Sequence, residues 1–124
     1  MSAHDDIVVV LSTAPARADG SKRGAHELAE ALLRERLCAC VNVVPGLVSH
    51  YWWQGALDRS DEALLVVKTT RSRVAELKDR LVVLHPYELP EVLVLETAGG
   101  HLPYLDWVRR EASAPQHRAP EASA

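Results

Sequence analysis

The chain has 124 residues, a formal net charge of −3 at neutral pH and 48% hydrophobic residues. This length predicts one domain with its own core, and the weak negative charge provides no general attraction to nucleic acid or to an anionic membrane. The apolar runs are shorter than the roughly 18 residues of a membrane span, and no basic segment precedes the first run. A cytoplasmic protein is therefore predicted.

The first half of the fold is expected to begin with a strand and a helix. A run of β-branched residues at 7–13 predicts a first strand that is buried on both faces. Pro15 and Gly20 indicate a loop after it. A helix is predicted at 21–36, because apolar residues recur there at helical spacing: Ala25, Leu28, Ala29, Leu32 and Leu33.

Two long strands should follow as a hairpin. The second strand is predicted at 38–53, with a bend at Pro45 and Gly46, since proline cannot donate a ladder hydrogen bond and glycine suits a bulge. Residues 54–56 indicate a turn. The third strand is predicted at 57–70, and its most apolar part is 63–67.

The last third of the chain predicts two further helices and one strand. Thr70 is expected to cap a helix at 71–84. A proline-rich loop at 85–90 leads to a fourth strand at 92–97. Pro103 is expected to start a short C-terminal helix.

The element order β-α-β-β-α-β-α predicts an α+β protein with a ferredoxin-like split β-α-β sandwich. We expect a four-stranded antiparallel sheet that carries helices on one face, followed by the C-terminal helix. The single domain is predicted to span residues 6–112. The polar residues 1–5 and the low-complexity residues 113–124 are predicted to be disordered.

The tip of the predicted hairpin is rich in large aromatic residues. Tyr51, Trp52 and Trp53 are consecutive, and consecutive strand residues point to opposite faces. One tryptophan can close the domain's own core, but three aromatic side chains on two faces exceed what one core can bury. Exposed aromatic area and unpaired strand edges are typical of interfaces, so a homo-oligomer is predicted.

The reactive side chains do not form an obvious site. Cys38 and Cys40 are two residues apart on a strand, so they are expected to be reduced, small apolar side chains rather than a disulfide or a chelating pair. The five histidines other than His85 show no spacing typical of a metal site. An acylphosphatase-like enzyme would need an arginine in a phosphate-binding loop after the first strand. Arg17 lies there, but the loop is not glycine-rich and has no asparagine partner. The central strands lack the aromatic residues of an RNA-binding module.

Lys68 interrupts an apolar strand, where an ammonium group needs a partner. One possibility is a salt bridge to Glu91 or to Glu62, although Glu62 stands at a strand end and is expected to be solvated. The alternative is a cleft between subunits that binds a small anion, lined by Lys68 together with Tyr51, Trp53, His85 and Glu91. The residues alone leave both open.

Six segments of the chain resemble the CutA family of divalent-cation tolerance proteins. They occur in the family's order and spacing: VVVLSTAP at 8–15, LCACVNVVPG at 37–46, SHYWWQG at 49–55, VKTT at 67–70, HPYELPE at 85–91 and YLDWV at 104–108. The resemblance implies a ferredoxin-like fold, a homotrimer with a PII-like architecture, and a link to divalent metal tolerance and copper binding. It implies no catalysis and no required cofactor.

The resemblance also points to a metal site at His85. In metal-binding members of the family, a cysteine follows the first strand's apolar run and two histidines precede the Pro-Tyr pair. Here Ser12 and Leu84 occupy two of these positions, and only His85 keeps a strong ligand. Glu88 and Glu91, which follow His85 in the chain, are the candidates for additional carboxylate oxygens. This pattern predicts weak binding of Cu(II) or another divalent cation, since imidazole and carboxylate suit such ions.

Overall fold

The computed structural model describes residues 5–113. The predicted disordered ends, 1–5 and 113–124, lie outside this range apart from Asp5 and Ser113. Within the described part, every helix falls short of the length and apolarity that a bilayer crossing requires. The elements are β1 Ile7–Ala14, α1 Ala25–Arg34, β2 Cys40–Trp53, β3 Ala56–Thr70, a 3-10 turn Arg71–Arg73, α2 Val74–Leu84, β4 Leu93–Glu96 and α3 Leu102–Glu111.

The four strands form one antiparallel sheet in the order β2-β3-β1-β4. This order, with α1 and α2 connecting the strands, is the split β-α-β arrangement that the sequence predicts. The ferredoxin-like α+β fold is therefore confirmed.

The core lies between α1, α2 and one face of the sheet. Every second residue of β1, and of β3 from Ala63 onward, points to this face and is buried against leucines of the two helices. Burying each valine or leucine of this set contributes about 1.5–3 kcal/mol. The cluster includes Val10, Leu65 and Val67 from the sheet, Leu28 and Leu32 from α1, and Leu77 and Leu81 from α2.

The β2–β3 hairpin projects beyond the rest of the sheet. β2 has 14 residues and β3 has 15, whereas β1 pairs with β3 only from Ala63 to Thr70. The register of β2 shifts between Val44 and Leu47. Gln54 and Gly55 both have positive φ, 51° and 84°, as a tight two-residue hairpin turn requires. The outer half of the hairpin therefore has neither β1 nor a helix packed against it in one chain.

The sheet face opposite α1 and α2 is apolar and partly open. By register it carries Val9, Leu11, Leu64 and Val66, which are half-buried, as well as Val44, Leu93 and Leu95, which are exposed. The prediction that the first strand is buried on both faces is thus wrong for a single chain. Only the face of β1 toward the helices is closed.

Two predicted helix starts are also wrong. α1 begins at Ala25 rather than at 21, because Gly24 is the N-cap residue and its N–H is bonded by Glu27 Oε1 at 3.0 Å. A Cβ on Gly24 would lie 2.5 Å from the carbonyl carbon of Arg17, so only glycine fits this approach. α2 begins at Val74 after the 3-10 turn, and Thr70 does not cap it through its side chain.

Candidate functional site

The loop after α2 brings polar side chains to the end of the sheet where β1 stops and the hairpin continues. His85 and Tyr87 lie in this loop, Thr13 is near the end of β1, and Ser49 and Glu62 come from the hairpin. Their rings and polar groups are in direct contact. We call these five residues the polar cluster.

His85 is buried, with 7% of its surface exposed, and both of its ring nitrogens are bonded to backbone. Nδ1 accepts a hydrogen bond from the Tyr87 N–H at 3.1 Å, so this nitrogen carries no proton. Nε2 therefore carries the proton and donates it to the Thr13 carbonyl at 2.8 Å. Burial lowers the pKa of His85, against the opposing effects of the Thr13 carbonyl and of the Glu62 charge. The arrangement stabilises neutral imidazole.

Glu62 is buried, with 6% of its surface exposed, so the expectation that it is solvated is wrong. Its Oε1 accepts from Ser49 Oγ at 2.6 Å, and its Oε2 accepts from the Tyr87 hydroxyl at 2.7 Å. Burial and the hydrogen bond to Glu62 raise the pKa of Tyr87. The Tyr87 ring also lies against His85, with ring centroids 4.7 Å apart. Tyr87 thus joins the histidine to the carboxylate.

Glu91 lies near this cluster and is half-buried. Burial raises the pKa of Glu91, and the charge of Glu62 raises it further. Among residues 5–113, neither Glu62 nor Glu91 forms a salt bridge. Glu62 and Glu91 are thus two nearby, partly buried carboxylates, and no lysine, arginine or histidine of the described chain forms a salt bridge with either of them.

Lys68 is distant from Glu62 on β3, and within one described chain it forms no salt bridge to Glu91 or Glu62, which was the first of the two alternatives for this residue. Its ammonium group donates to Asn42 Oδ1 and lies 3.9 Å from Cys40 Sγ. Six residues of β3 separate Lys68 from Glu62, which is about 20 Å at the usual strand rise. Among the described residues, Lys68 therefore touches neutral amide and thiol groups but no carboxylate.

The remaining residues of the predicted cleft lie on the hairpin. By register, Tyr51 and Trp53 point to the same face as Ser49 and Ser60, and the Tyr51 hydroxyl is 2.6 Å from Ser60 Oγ. Both aromatic residues are half-buried, whereas Trp52 points the other way and is 71% exposed. One chain thus brings Tyr51 and Trp53 to the hairpin face that carries the Ser49–Glu62 contact. Lys68 lies on the same face of β3 but too far along the strand to join them.

The positions of the predicted metal site do not form a preformed ligand set in one chain. Ser12 is buried and its Oγ has no hydrogen-bond partner among the described residues. Leu84 is packed in the core, and both nitrogens of His85 are engaged. Across residues 5–113 there is no group of three or more His, Cys, Asp or Glu side chains placed to hold a metal ion.

The two cysteines are free thiols. Cys38 is buried, and burial raises its pKa to about 12. Cys38 therefore fits the prediction of a reduced, small apolar side chain, whereas Cys40 is half-buried.

Sequence reasoning did not predict the role of Tyr87 and Ser49 in this cluster. The contacts join positions 13 to 25 residues apart, which no local periodicity reveals. One signal was present in the sequence. Glu62 directly precedes the apolar run of β3, where a carboxylate enters the part of the strand that becomes buried.

Comparisons with known proteins give a consistent result. The sequence model of the family described as CutA1 divalent ion tolerance protein matches residues 8–111. A Divalent-cation tolerance protein CutA of Thermus thermophilus is 50% identical over 101 residues, which are 82% of this chain and 93% of the relative. Human Protein CutA is 41% identical over 90 residues, which are 73% of this chain. The chain spans about half the length of the human, rice and Arabidopsis relatives.

Solved structures match over the same region. A crystal structure of CutA from Xylella fastidiosa has a TM-score of 0.79 at 37% identity, covering 87% of this chain and 99% of that one. The Thermus thermophilus Cut A1 structure has a TM-score of 0.78 at 46% identity, covering 86% and 99%. The fold and the sequence motifs therefore point to the same group of proteins.

Proposed function

The chain belongs to the CutA1 divalent ion tolerance protein family, and from this premise we propose that it is a non-catalytic homotrimer that contributes to tolerance of divalent metal ions. Copper is the ion we propose first. The family description and the name of the Thermus thermophilus relative, a divalent-cation tolerance protein, support the tolerance role. The two free thiols support a reducing compartment, and we propose the cytoplasm.

The observation that carries the metal part of the proposal is the neutral His85 ring near the carboxylates of Glu62 and Glu91. Imidazole nitrogen and carboxylate oxygen are ligands that Cu(II) and other divalent cations accept. A cation that uses His85 must displace one backbone hydrogen bond from the ring. Glu88 and Glu91 are the candidates for further oxygen ligands. Binding is therefore weak.

The assembly part is supported by the apolar surface that one chain leaves open. Trp52 and Leu57 pair across the hairpin tip and are 71% and 70% exposed. The open sheet face adds Val44, Leu93 and Leu95. Exposed apolar area of this extent on a small domain is typical of an interface. Packing of these surfaces against other copies would remove it from water.

Titration calorimetry of the purified protein with Cu(II) and Zn(II) tests the metal proposal. We expect His85→Ala to remove most Cu(II) binding, and we expect His26→Ala, an exposed position on α1, to bind as the unsubstituted protein does. Equal Cu(II) titrations for His85→Ala and His26→Ala would contradict the proposal.

A second candidate function is a PII-like site for a small anion or nucleotide. It is favoured by Lys68, whose ammonium group contacts a neutral amide and a thiol in its own described chain and forms no salt bridge there. Titration with a panel of nucleotides, compared between the unsubstituted protein and Lys68→Met, tests it. Binding that is independent of Lys68 would count against this candidate.

A further inference from the structure

Charges of opposite sign without a salt-bridge partner lie on β3 and in the loop before β4. The Lys68 ammonium group has neutral neighbours, while Glu62 and Glu91 form no salt bridge among the described residues. Both carboxylates are at least half-buried. A buried charge is costly unless an opposite charge reaches it, so the Lys68 ammonium group is electrostatically complementary to the Glu62 and Glu91 carboxylates.

The Lys68 ammonium group and the Glu62 carboxylate cannot meet within one chain. Lys68 and Glu62 are on the same strand, and the even-numbered positions of β3 share one face. Six residues of extended strand place them about 20 Å apart, which is farther than a lysine side chain extends. β3 is a continuous strand that pairs with β2 on both sides of the register shift, so it does not fold back on itself.

We propose that a second copy of this chain docks on the open sheet face and places its Lys68 ammonium group against the Glu62 and Glu91 carboxylates. This inference rests on the proposed homo-oligomer and names the ion pair that orients it. Exposed Val44, Leu93 and Leu95 supply apolar area around the contact. Lys68 of one copy then pairs with the Glu62 and Glu91 carboxylates of the neighbouring copy, which have no salt bridge within their own described chain.

The proposed contact is consistent with the weak metal binding proposed above. The ammonium group of the neighbouring copy competes with a divalent cation for the Glu91 carboxylate. Ser49 and the Tyr87 hydroxyl hold one lone pair on each oxygen of Glu62, which orients the remaining acceptor positions. The carboxylates are thus preorganised for a cation of the neighbouring copy.

Charge exchange within the full chain tests the pairing. We compare Lys68→Glu, Glu91→Lys and the double variant by sedimentation velocity over a dilution series. Each single variant places like charges together and should weaken subunit association about tenfold or more, whereas the double variant restores opposite charges and should return to within about threefold of the unsubstituted protein. Lys78→Glu on the exposed side of α2 is the control, and its association should not change.

The outcomes separate this inference from the proposed oligomer. If the unsubstituted protein is a monomer at every concentration, the oligomer itself is wrong. If it is an oligomer and the double variant associates no better than the weaker single variant, or if both single variants match Lys78→Glu, the ion pair is wrong while the oligomer stands.

Neutral variants keep the test decisive if a charge reversal unfolds the chain. Lys68→Met and Glu91→Gln preserve side-chain shape. Paired residues should give effects that do not multiply, so the double variant should associate about as weakly as each single variant. Dissociation constants that rise about tenfold in each single variant and about a hundredfold in the double variant would overturn the pairing.

Discussion

Tyr87 donates its hydroxyl to Glu62 Oε2 over 2.7 Å, and its backbone N–H donates to Nδ1 of His85 over 3.1 Å. One residue therefore fixes both the orientation of a buried carboxylate and the tautomer of a buried imidazole. This relationship links the loop after α2 to the β2–β3 hairpin. It makes Tyr87 the centre of the polar cluster.

Replacing Tyr87 by phenylalanine should destabilise the protein. Glu62 stays buried and loses one of its two donors, which costs about 1–3 kcal/mol. The free energy of unfolding from urea titration measures this loss. Tyr104→Phe is the matched control, because the Tyr104 side chain is exposed. Equal unfolding free energies for the two variants would show that the hydrogen bond to Glu62 contributes nothing.

Stability should fall as the pH drops below about 6.5, the ordinary pKa of histidine. Burial lowers the pKa of His85 in the folded state, so below 6.5 the unfolded chain binds this proton first. The stabilisation that comes from neutral His85 is therefore complete above 6.5 and is lost toward the lower folded pKa. Unfolding free energies at pH 7.5 and 5.5 test this for the unsubstituted protein and for His85→Gln.

Glu91 contributes an opposite but lower-lying dependence. Its pKa is raised in the folded state, so its protonated form is favoured there and its contribution falls as the pH rises above 4.5. Of these two opposing dependences only that of Glu91 remains in His85→Gln, so this variant should show no loss of stability between pH 7.5 and 5.5. An unchanged slope in His85→Gln would show that another group causes the loss.

Ser12→Ala should stabilise the protein or leave it unchanged. Ser12 Oγ is buried without a hydrogen-bond partner, so its removal relieves a desolvation cost of about 1–3 kcal/mol. Thr69→Val is the contrasting variant, because Thr69 Oγ1 is equally buried but donates to the Leu37 carbonyl at 2.7 Å. Thermal unfolding should place Ser12→Ala at or above the unsubstituted protein and Thr69→Val below it. The reverse order would contradict this.

The fold followed from local patterns, whereas the polar cluster did not. The β-branched run of β1 and the leucine spacing of α1 predict a strand and a helix whose ends lie within a few residues of the observed ones. The start of α1 at Ala25 depends instead on a contact between Gly24 and the Arg17 backbone. Likewise, Lys68 contacts Asn42 because the pairing of β2 with β3 places Asn42 diagonally opposite Lys68 on the same sheet face. Such relationships arise between elements and leave little trace in a single sequence.

Restoring the ligand positions that the family resemblance implies should strengthen copper binding. Ser12→Cys supplies a thiol in place of an unpartnered hydroxyl, and Leu84→His supplies a second imidazole next to His85. The double variant should bind Cu(II) at least about tenfold more tightly by calorimetry, since each added ligand suits the ion. His101→Ala, at an exposed position before α3, is the control. Unchanged affinity in the double variant would show that copper binds elsewhere.

The hairpin tip should matter more for assembly than the C-terminal helix. Trp53 stands at the end of β2 on the projecting hairpin, whereas Trp107 lies in α3 and stacks on Tyr104. Trp53→Ala should therefore raise the subunit dissociation constant more than Trp107→Ala does. Subunit exchange between labelled and unlabelled protein measures both, and equal exchange rates would contradict the assigned interface.

The mass of the purified protein in solution tests the central claim most directly, because the proposed assembly would cover the open sheet face and the exposed hairpin tip and would pair the Lys68, Glu62 and Glu91 charges. Light scattering at micromolar concentration should give three times the 13.7 kDa mass of the chain. A mass of one chain at that concentration would contradict the account.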